Sequence, residues 1–493
     1  LSTRAISLAH PNSLYIGGEW ITPLCDERIE VRDSASEEVV AVVAKGNASD
    51  MQRAVAVARH AFDEGAWPRL TPQQRAGFMR DLSAAILRRG DEFARCWTLE
   101  SGVLYSISSA RTAAIMSSLF LNYAELADTF AFRESRRAMG GQQAWLVREP
   151  VGVVGAIVPW NSPATLTTYK VAPALLAGCT VVLKTPTEAP CSGFLFAEIC
   201  EEIGLPPGVI NVVPSNREGS RALVADSRVD KITFTGSTEV GRDIASTLGQ
   251  RIGRFTLELG GKSPAVILDD YDLDAAARTL AGNACMNAGQ VCHSLTRVIV
   301  PRHRHDALVD ALSTACSSQV IGDPFDPLSG IGPLATDRQR ANVERYIAIG
   351  KAEGATLACG GSRPKGLSKG YYFEPTVFGN VDNLSAIGQD EIFGPVLSVI
   401  PAADEADAIR LANQTIYGLN ATIFTNDEER FLALAPLIRS GTVGQNASRT
   451  DVTIAFGGMK QSGIGREGGV DGLLAYLESK VVVVDRPWGV PVD

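Results

Sequence analysis

Val151-Gly-Val-Val-Gly-Ala-Ile-Val158 is an apolar run with no polar face, of the length of one strand. Such a run suits a strand buried on both sides. Ala164 to Leu176 follows with helical character, and Thr180-Val-Val-Leu183 is a second buried strand. The unit then recurs. Ser192 to Ile203 reads as helix, Val209-Ile-Asn-Val-Val213 as strand and Arg217 to Ala225 as helix. Lys231-Ile-Thr-Phe234, Glu239 to Leu248 and Thr256-Leu-Glu-Leu259 complete the series as strand, helix and strand. This alternation specifies a parallel sheet with helices on both faces. Ligands, nucleotides above all, bind at the carboxyl ends of such strands.

Upstream, Tyr15-Ile-Gly-Gly-Glu-Trp20 signals a hairpin. Ala48 to Phe62 is an Ala-rich helix with Ser49 and Asp50 as expected caps. Thr71-Pro72 opens a helix to Gly90, Asp91 is expected to cap the next, and 111 to 132 is helical by apolar periodicity. Arg133 to Gln143, punctuated by Gly140-Gly141, reads as a polar break. Downstream a second alternating region includes a helix over Thr336 to Gly350 and strands at Val396-Leu-Ser-Val-Ile400 and Ala421-Thr-Ile-Phe424. The tail Lys480-Val-Val-Val-Val484 is an apolar strand with no partner beside it in sequence. Left exposed it would invite aggregation. It is expected to pair with another subunit or with the segment near Trp145-Leu-Val147.

The chain has 493 residues, enough for about three domains at roughly 150 residues each. A net charge of −9 argues against nucleic acid or an anionic membrane as partner. No apolar run reaches the roughly 20 residues of a membrane helix. Leu1-Ser-Thr-Arg-Ala-Ile-Ser7 lacks the apolar core of a signal peptide. The nine cysteines are irregularly spaced and the five histidines form no zinc motif. These features predict a reduced, cytoplasmic, metal-free protein.

Four stretches carry chemistry. In Asn283-Ala-Cys-Met-Asn-Ala-Gly-Gln-Val-Cys292-His-Ser, small and amide residues set a thiol on a tight loop ahead of the apolar run Arg297-Val-Ile-Val-Pro301. A thiol attacks as its thiolate, so it needs partial access and help in losing its proton. The competing reading is a small buried hydrophobe. Phe234-Thr235-Gly236-Ser237-Thr-Glu-Val240-Gly241 joins a strand to a helix whose first amides would face a phosphate. Glu258 ends an otherwise apolar strand, where desolvation would suit it as a general base; otherwise it is half of an ion pair. Asn161, just past the first strand of the sheet, could donate to an oxyanion or cap a helix.

Pro159-Trp-Asn161, Gly236-Ser-Thr-Glu-Val-Gly241, Leu257-Glu-Leu-Gly-Gly-Lys262, Gly289-Gln-Val-Cys292, Glu391-Ile-Phe-Gly-Pro395 and Phe456-Gly-Gly-Met-Lys-Gln-Ser-Gly463 together resemble the aldehyde dehydrogenase superfamily, in its order and over nearly the whole chain. The resemblance implies an α/β fold: a Rossmann-like parallel-sheet cofactor domain (1–125 and 147–260), a second α/β catalytic domain (261–455), and a β oligomerisation arm (126–146) completed by the C-terminal strand (478–493). It implies Cys292 as nucleophile, Glu258 as base and the Asn161 amide with the Cys292 N–H as oxyanion hole. Lys170 and Glu467 match a proton relay. Ser237 would contact pyrophosphate, Lys184 and Glu391 the riboses, and Trp160 and Phe393 the cleft, with Val158, Gly236 and Val240 beside them. Glu188 decides the nucleotide: facing the ribose it favours NAD, and turned outward it lets Thr187 admit NADP. The charge repulsion favours NAD.

The same resemblance places Ser162, Leu166, Tyr169, Val291 and Phe456, with Met286 and Thr450, along the aldehyde tunnel. This apolar set implies a neutral aldehyde, aromatic, medium-chain or terpenoid. It implies a homodimer or homotetramer. The alternatives are a coenzyme A-acylating semialdehyde enzyme, against which Glu258 argues, and an inactive structural relative, against which Cys292, Glu258 and Asn161 argue.

Overall fold

In the computed structural model the described residues are 4–451 and 453–489. Residues 1–3, 452 and 490–493, which fall within the expected N-terminal, catalytic and C-terminal segments, lie outside them.

Gly17 and Gly18, at φ +73° and +81°, close the hairpin of β1 (Leu14–Ile16) and β2 (Glu19–Ile21). Positive φ is open to glycine because it has no Cβ. A second hairpin, β3 (Arg28–Arg32) and β4 (Val39–Ala44), buries Ile29 and Val31 while its charged residues face solvent. Helix α1 (Ala48–Asp63) is capped by Asn47, whose side chain and that of Asp50 form a reciprocal box, so Ser49 is not the cap. Helices α2 (Pro72–Arg88), α3 (Gly90–Ser101) and α4 (Tyr105–Thr129) follow. Asp91 does not cap α3. It lies inside the first turn, held by Arg95 at 2.6 Å and by the Tyr105 hydroxyl.

The expected polar break is instead β5 (Arg133–Arg137) running into β6 (Gln142–Pro150). An edge strand needs no apolar face when its own edge is charged. The alternating series then forms as read: β7 (Val153–Ile157), α5 (Pro163–Ala177), β8 (Thr180–Lys184), α6 (Cys191–Glu202), β9 (Ile210–Val212), α7 (Arg217–Ala225), β10 (Lys231–Thr235), α8 (Thr238–Gly249) and β11 (Arg254–Glu258). These five strands are parallel neighbours, in the order β11-β10-β7-β8-β9, and β1 and β2 extend the sheet antiparallel at one edge. Val153, Val154, Val181 and Val182 are fully buried within it.

A seven-stranded sheet gathers β12 (Pro264–Ile267) and, after α9 (Leu273–Cys285), β13 (Arg297–Pro301), β14 (Thr356–Cys359), β15 (Thr376–Gly379), β16 (Val396–Ala402), β17 (Asn420–Phe424) and β18 (Thr442–Gln445). Only the β14–β15 pair is antiparallel. The chain then returns to the first sheet, where β19 (Gly463–Ile464) pairs with β11. Of the two partners expected for the apolar tail, the one within the chain is found. β20 (Leu477–Pro487) pairs antiparallel with β6, setting Val481 against Leu146 and Val482 against Trp145. The three-stranded sheet β20-β6-β5 leaves β20 as an edge, with Val481 and Val483 exposed.

Candidate active site

The carboxyl ends of β7, β10 and β11 open onto the cysteine loop that precedes β13. Three consecutive residues of that loop, Asn287, Ala288 and Gly289, have φ of +49°, +49° and +75°. For alanine this conformation is unfavourable by roughly 1–2 kcal/mol. Side-chain amides hold it in place. Gln290, fully buried, donates to Asn287 O at 3.0 Å and accepts from the Ala335 N–H at 2.9 Å. Asn287 Nδ2 donates to Asn161 O, also at 3.0 Å.

Asn161 is buried, and its Nδ2 donates to Gln290 O at 3.0 Å. The residue at the helix-cap position is Ser162, which makes no side-chain cap bond. The cap reading of Asn161 is therefore overturned: the loop carbonyl takes its amide. An amide nitrogen has two N–H groups, so one remains beyond the bond to Gln290. Cys292 itself is half-buried. Burial, with the carboxylates of Glu391 and Glu258, pushes its thiol from 9.0 up to about 12.

Glu258 ends β11 with its side chain buried and neither oxygen in a hydrogen bond to any described residue. It is not half of a direct ion pair. Burial first, then the charge of Glu467, raises its pKa well above the ordinary 4.5, opposed by Lys170 and Arg466. Gly457 lies against its Oε1, where a Cβ would come within 2.6 Å. Beneath it, the fully buried Lys170 amine donates to Glu467 Oε1 at 2.5 Å and to Thr235 Oγ1 at 2.7 Å. The structure thus brings Lys170 and Glu467 together.

The residues expected to meet the nucleotide cluster at the strand ends. Ser237 caps α8, accepting from Val240 N at 3.4 Å. Gly236 N donates to Glu258 O, and Val158 N donates to Lys184 O. Lys184 is buried and its amine is lowered by desolvation to about 8, with Glu188 opposing. Glu188 accepts from Arg338 Nη2 at 2.8 Å, so its carboxylate is engaged by a guanidinium that sequence reading did not include. Glu391 Oε1 accepts from Gly261 N at 3.2 Å, and its carboxyl is raised by burial to about 7. Trp160 and Phe393 meet edge to face at 5.5 Å.

On the other side of the thiol, the Phe456 ring lies 6.5 Å from Tyr169 and 6.1 Å from His293. Leu166 and Tyr169 are partly buried on the core, and Ser162 and Val291 are half-buried. Two polar groups on this side were missed. His293 Nδ1 stands 3.8 Å from Cys292 Sγ. Burial and the charge of Arg111 lower its imidazole to about 4, so it is neutral at pH 7. Its place directly after Cys292 was the available signal. Arg111, on α4, lies 3.6 Å from Met286 Sδ, and only the fold brings it there.

A thiol, a desolvated carboxylate and an orienting amide around one space can form and hydrolyse a thioester. The aldehyde dehydrogenase family profile matches residues 20–482, and the chain belongs to that family. It is 42% identical over 469 residues to a geranial dehydrogenase of Castellaniella defragrans, covering 95% of this chain and 98% of that protein. Among solved structures it is similar to a Mycobacterium tuberculosis aldehyde dehydrogenase complexed with NAD+, at TM-score 0.95 and 42% identity, covering 99% of this chain and 100% of that one. It is also similar to a mutant of aldehyde dehydrogenase C from Pseudomonas syringae complexed with NAD+ and octanal, at TM-score 0.94 and 38% identity, covering 98% and 99% of the two chains.

Proposed function

We propose that the chain oxidises neutral, hydrophobic aldehydes to carboxylic acids with NAD. The observation that carries the reading is Glu258: a buried carboxylate beside Cys292 with no hydrogen-bond partner among the described residues. The chain's residues also fit the cofactor. A helix N-terminus at the end of β10, the Lys184 amine and the Glu391 carboxylate form a donor and acceptor set for pyrophosphate and ribose, beside the Trp160–Phe393 pair. NAD, when bound, accepts the hydride and carries a cationic ring.

The protein's part is as follows. Cys292 adds to the aldehyde carbon, and Asn161 Nδ2 with the Cys292 N–H holds the developing oxyanion. A comparable donor contributes about 3–4 kcal/mol. Loss of hydride converts the thiohemiacetal to a thioester. Glu258 takes a proton from water as that water attacks. Lys170 and Glu467 receive the proton beneath it. The hydrophobic substrate rests on the apolar wall of Leu166, Tyr169, Val291 and Phe456 and on the names of the two similar proteins, one a geranial dehydrogenase and one bound to octanal. Each buried CH₂ adds about 0.8 kcal/mol.

The same reading assigns residues 1–125 and 147–260 to the cofactor domain, 261–455 to the catalytic domain, and 126–146 with 478–493 to an oligomerising arm. The exposed Val481 and Val483 on the edge of β20 support a homodimer or homotetramer. All nine cysteines are unpaired, which suits a reducing cytoplasm. The experiment is cofactor reduction with a panel from acetaldehyde to hexanal and benzaldehyde, with NAD and NADP, and with and without coenzyme A. Rising kcat/KM along the panel, preference for NAD and indifference to coenzyme A are expected. Cys292→Ala should abolish turnover. Faster oxidation of succinic semialdehyde than of every neutral aldehyde overturns the substrate class, and dependence on coenzyme A overturns the hydrolytic role of Glu258.

A further inference from the structure

A parallel strand buried on both faces is normally apolar on both. β10 is not. Lys231, Thr233 and Thr235 alternate with Ile232 and Phe234, so three polar side chains share one face. All three are buried. At the active-site end, Thr235 is in register with Glu258 and accepts from Lys170, which also holds Glu467. At the other end, about 13 Å away at strand spacing, the Lys231 amine donates to Thr256 Oγ1 at 2.7 Å.

Between the ends stand three buried hydroxyls. Thr233 Oγ1, Tyr476 Oη and Tyr123 Oη are buried and make no hydrogen bond of full geometry to the protein. The Tyr476 hydroxyl faces Thr233, and its ring lies 5.1 Å from the Lys231 amine. Tyr123 Oη lies against Gly472, close to Glu467. Buried hydroxyls left in this way are costly unless water or a function uses them. The charged and titratable groups that act most on Lys231 are Cys179 ahead of β8, Glu467, Lys170 and Glu478 on β20. Glu478 is at the surface, paired with Arg254 at 2.7 Å, and Arg254 is the β11 residue in register with Lys231.

We propose that this polar face of β10 is a proton path, in which Thr233 and the two tyrosine hydroxyls carry the proton left on Glu258 from the Lys170–Glu467 pair to Lys231 and out beside Glu478. It rests on the hydrolytic reading above. In that step water's oxygen bonds to the acyl carbon as the C–S bond breaks. One proton of water goes to Glu258. The acid's own proton ends on the leaving sulfur, restoring the Cys292 thiol and leaving a carboxylate. One proton per turnover therefore remains on Glu258 and must leave before the next cycle. Desolvation lowers the Lys231 amine to about 7, so it can both take and give a proton at neutral pH. Lys231 and Thr233 touch neither substrate nor cofactor; they act only on the proton's exit.

The test is a stopped-flow record of reduced cofactor and, through a pH-indicator dye, of protons reaching solvent, using the full-length enzyme with NAD and hexanal. Thr233→Val keeps the β-branched shape and removes the hydroxyl. It should leave the cofactor burst unchanged and delay the second proton at least fivefold, and Thr233→Ser should restore it. Lys231→Met should give the same delay. If Lys231→Met does not fold, the threonine pair still decides. Proton release from Thr233→Val on the wild-type time course overturns the path. A wild-type enzyme that forms no reduced cofactor refutes instead the oxidation from which the path is inferred.

Discussion

A thiol held at about 12 is almost wholly protonated at pH 7, and this gives a direct test of the site before any turnover. An ordinary thiol of pKa about 9 is roughly one part in a hundred thiolate at pH 7; at about 12 it is roughly one part in 100,000. The more basic thiolate is intrinsically more nucleophilic, by about 20- to 30-fold over three units. The net expectation is alkylation of Cys292 about 30- to 50-fold slower than that of an ordinary thiol, before any steric hindrance. The perturbation is the arrival of a cation. Oxidised cofactor beside the thiol offsets the Glu391 and Glu258 carboxylates and should accelerate alkylation at least tenfold. Glu391→Gln should accelerate it without cofactor, because it removes the nearest cause after burial. The assay is iodoacetamide labelling at pH 7 with peptide mapping. Cys25 and Cys359, both half-buried, serve as references, and Cys285 as the slow control, since burial also holds it at about 12. Labelling of Cys292 without cofactor as fast as the references would refute the electrostatic account.

Glu258→Gln should show a normal burst of reduced cofactor and then a stalled thioester detectable by mass spectrometry; unchanged steady-state turnover would place the base elsewhere. Because the Glu258 carboxyl is raised above the ordinary carboxylate range, wild-type deacylation should increase with pH as the base is formed, a limb that Glu258→Gln lacks. Lys170→Met leaves Glu467 buried without its cation and should cost about 3–5 kcal/mol in denaturant unfolding, much of it recovered by adding Glu467→Gln; equal instability of single and double variants would contradict this. Ser162→Phe should lower kcat/KM for hexanal and benzaldehyde and spare acetaldehyde, whereas equal loss on all three would remove Ser162 from the tunnel wall. Gly289→Ala should weaken NAD binding, read by fluorescence quenching, as well as activity; loss of activity with cofactor affinity intact would separate two segments that the structure packs together.

The doubly wound region was legible because its strands are apolar on almost every residue and its helices start at capping residues such as Ser237 and Asn216. β5 was not. Arg133-Glu-Ser-Arg-Arg137 has no apolar face, and its conformation comes from β6 alongside it, which no local pattern encodes. Of the site, Cys292, Glu258 and Asn161 stood out by their motifs, yet their environments did not. The cap role of Asn161 fails because Gln290 O, 129 positions along the chain, takes its amide. Arg338 on Glu188 and Arg111 beside Met286 are contacts between helices and loops far apart in sequence.

The strain near the thiol has a location that explains it. Two segments carry residues at positive φ: Asn287-Ala288-Gly289 at +49°, +49° and +75°, and Phe393 at +58°. They face each other. A Cβ on Gly289 would overlap the Gly394 carbonyl, so the two backbones approach more closely than side chains allow. One segment leads to Cys292, and the other carries Phe393, packed on Trp160. The thiol and the Trp160–Phe393 pair are thus set by one backbone contact, with Gln290 and Asn287 fixing the first segment through Ala335 and Asn161. Unfavourable dihedrals of this kind persist only where surrounding structure over-determines them. On the function proposed above, what they would secure is a common reference for sulfur and nicotinamide, the two partners whose separation decides whether a thiohemiacetal can lose its hydride.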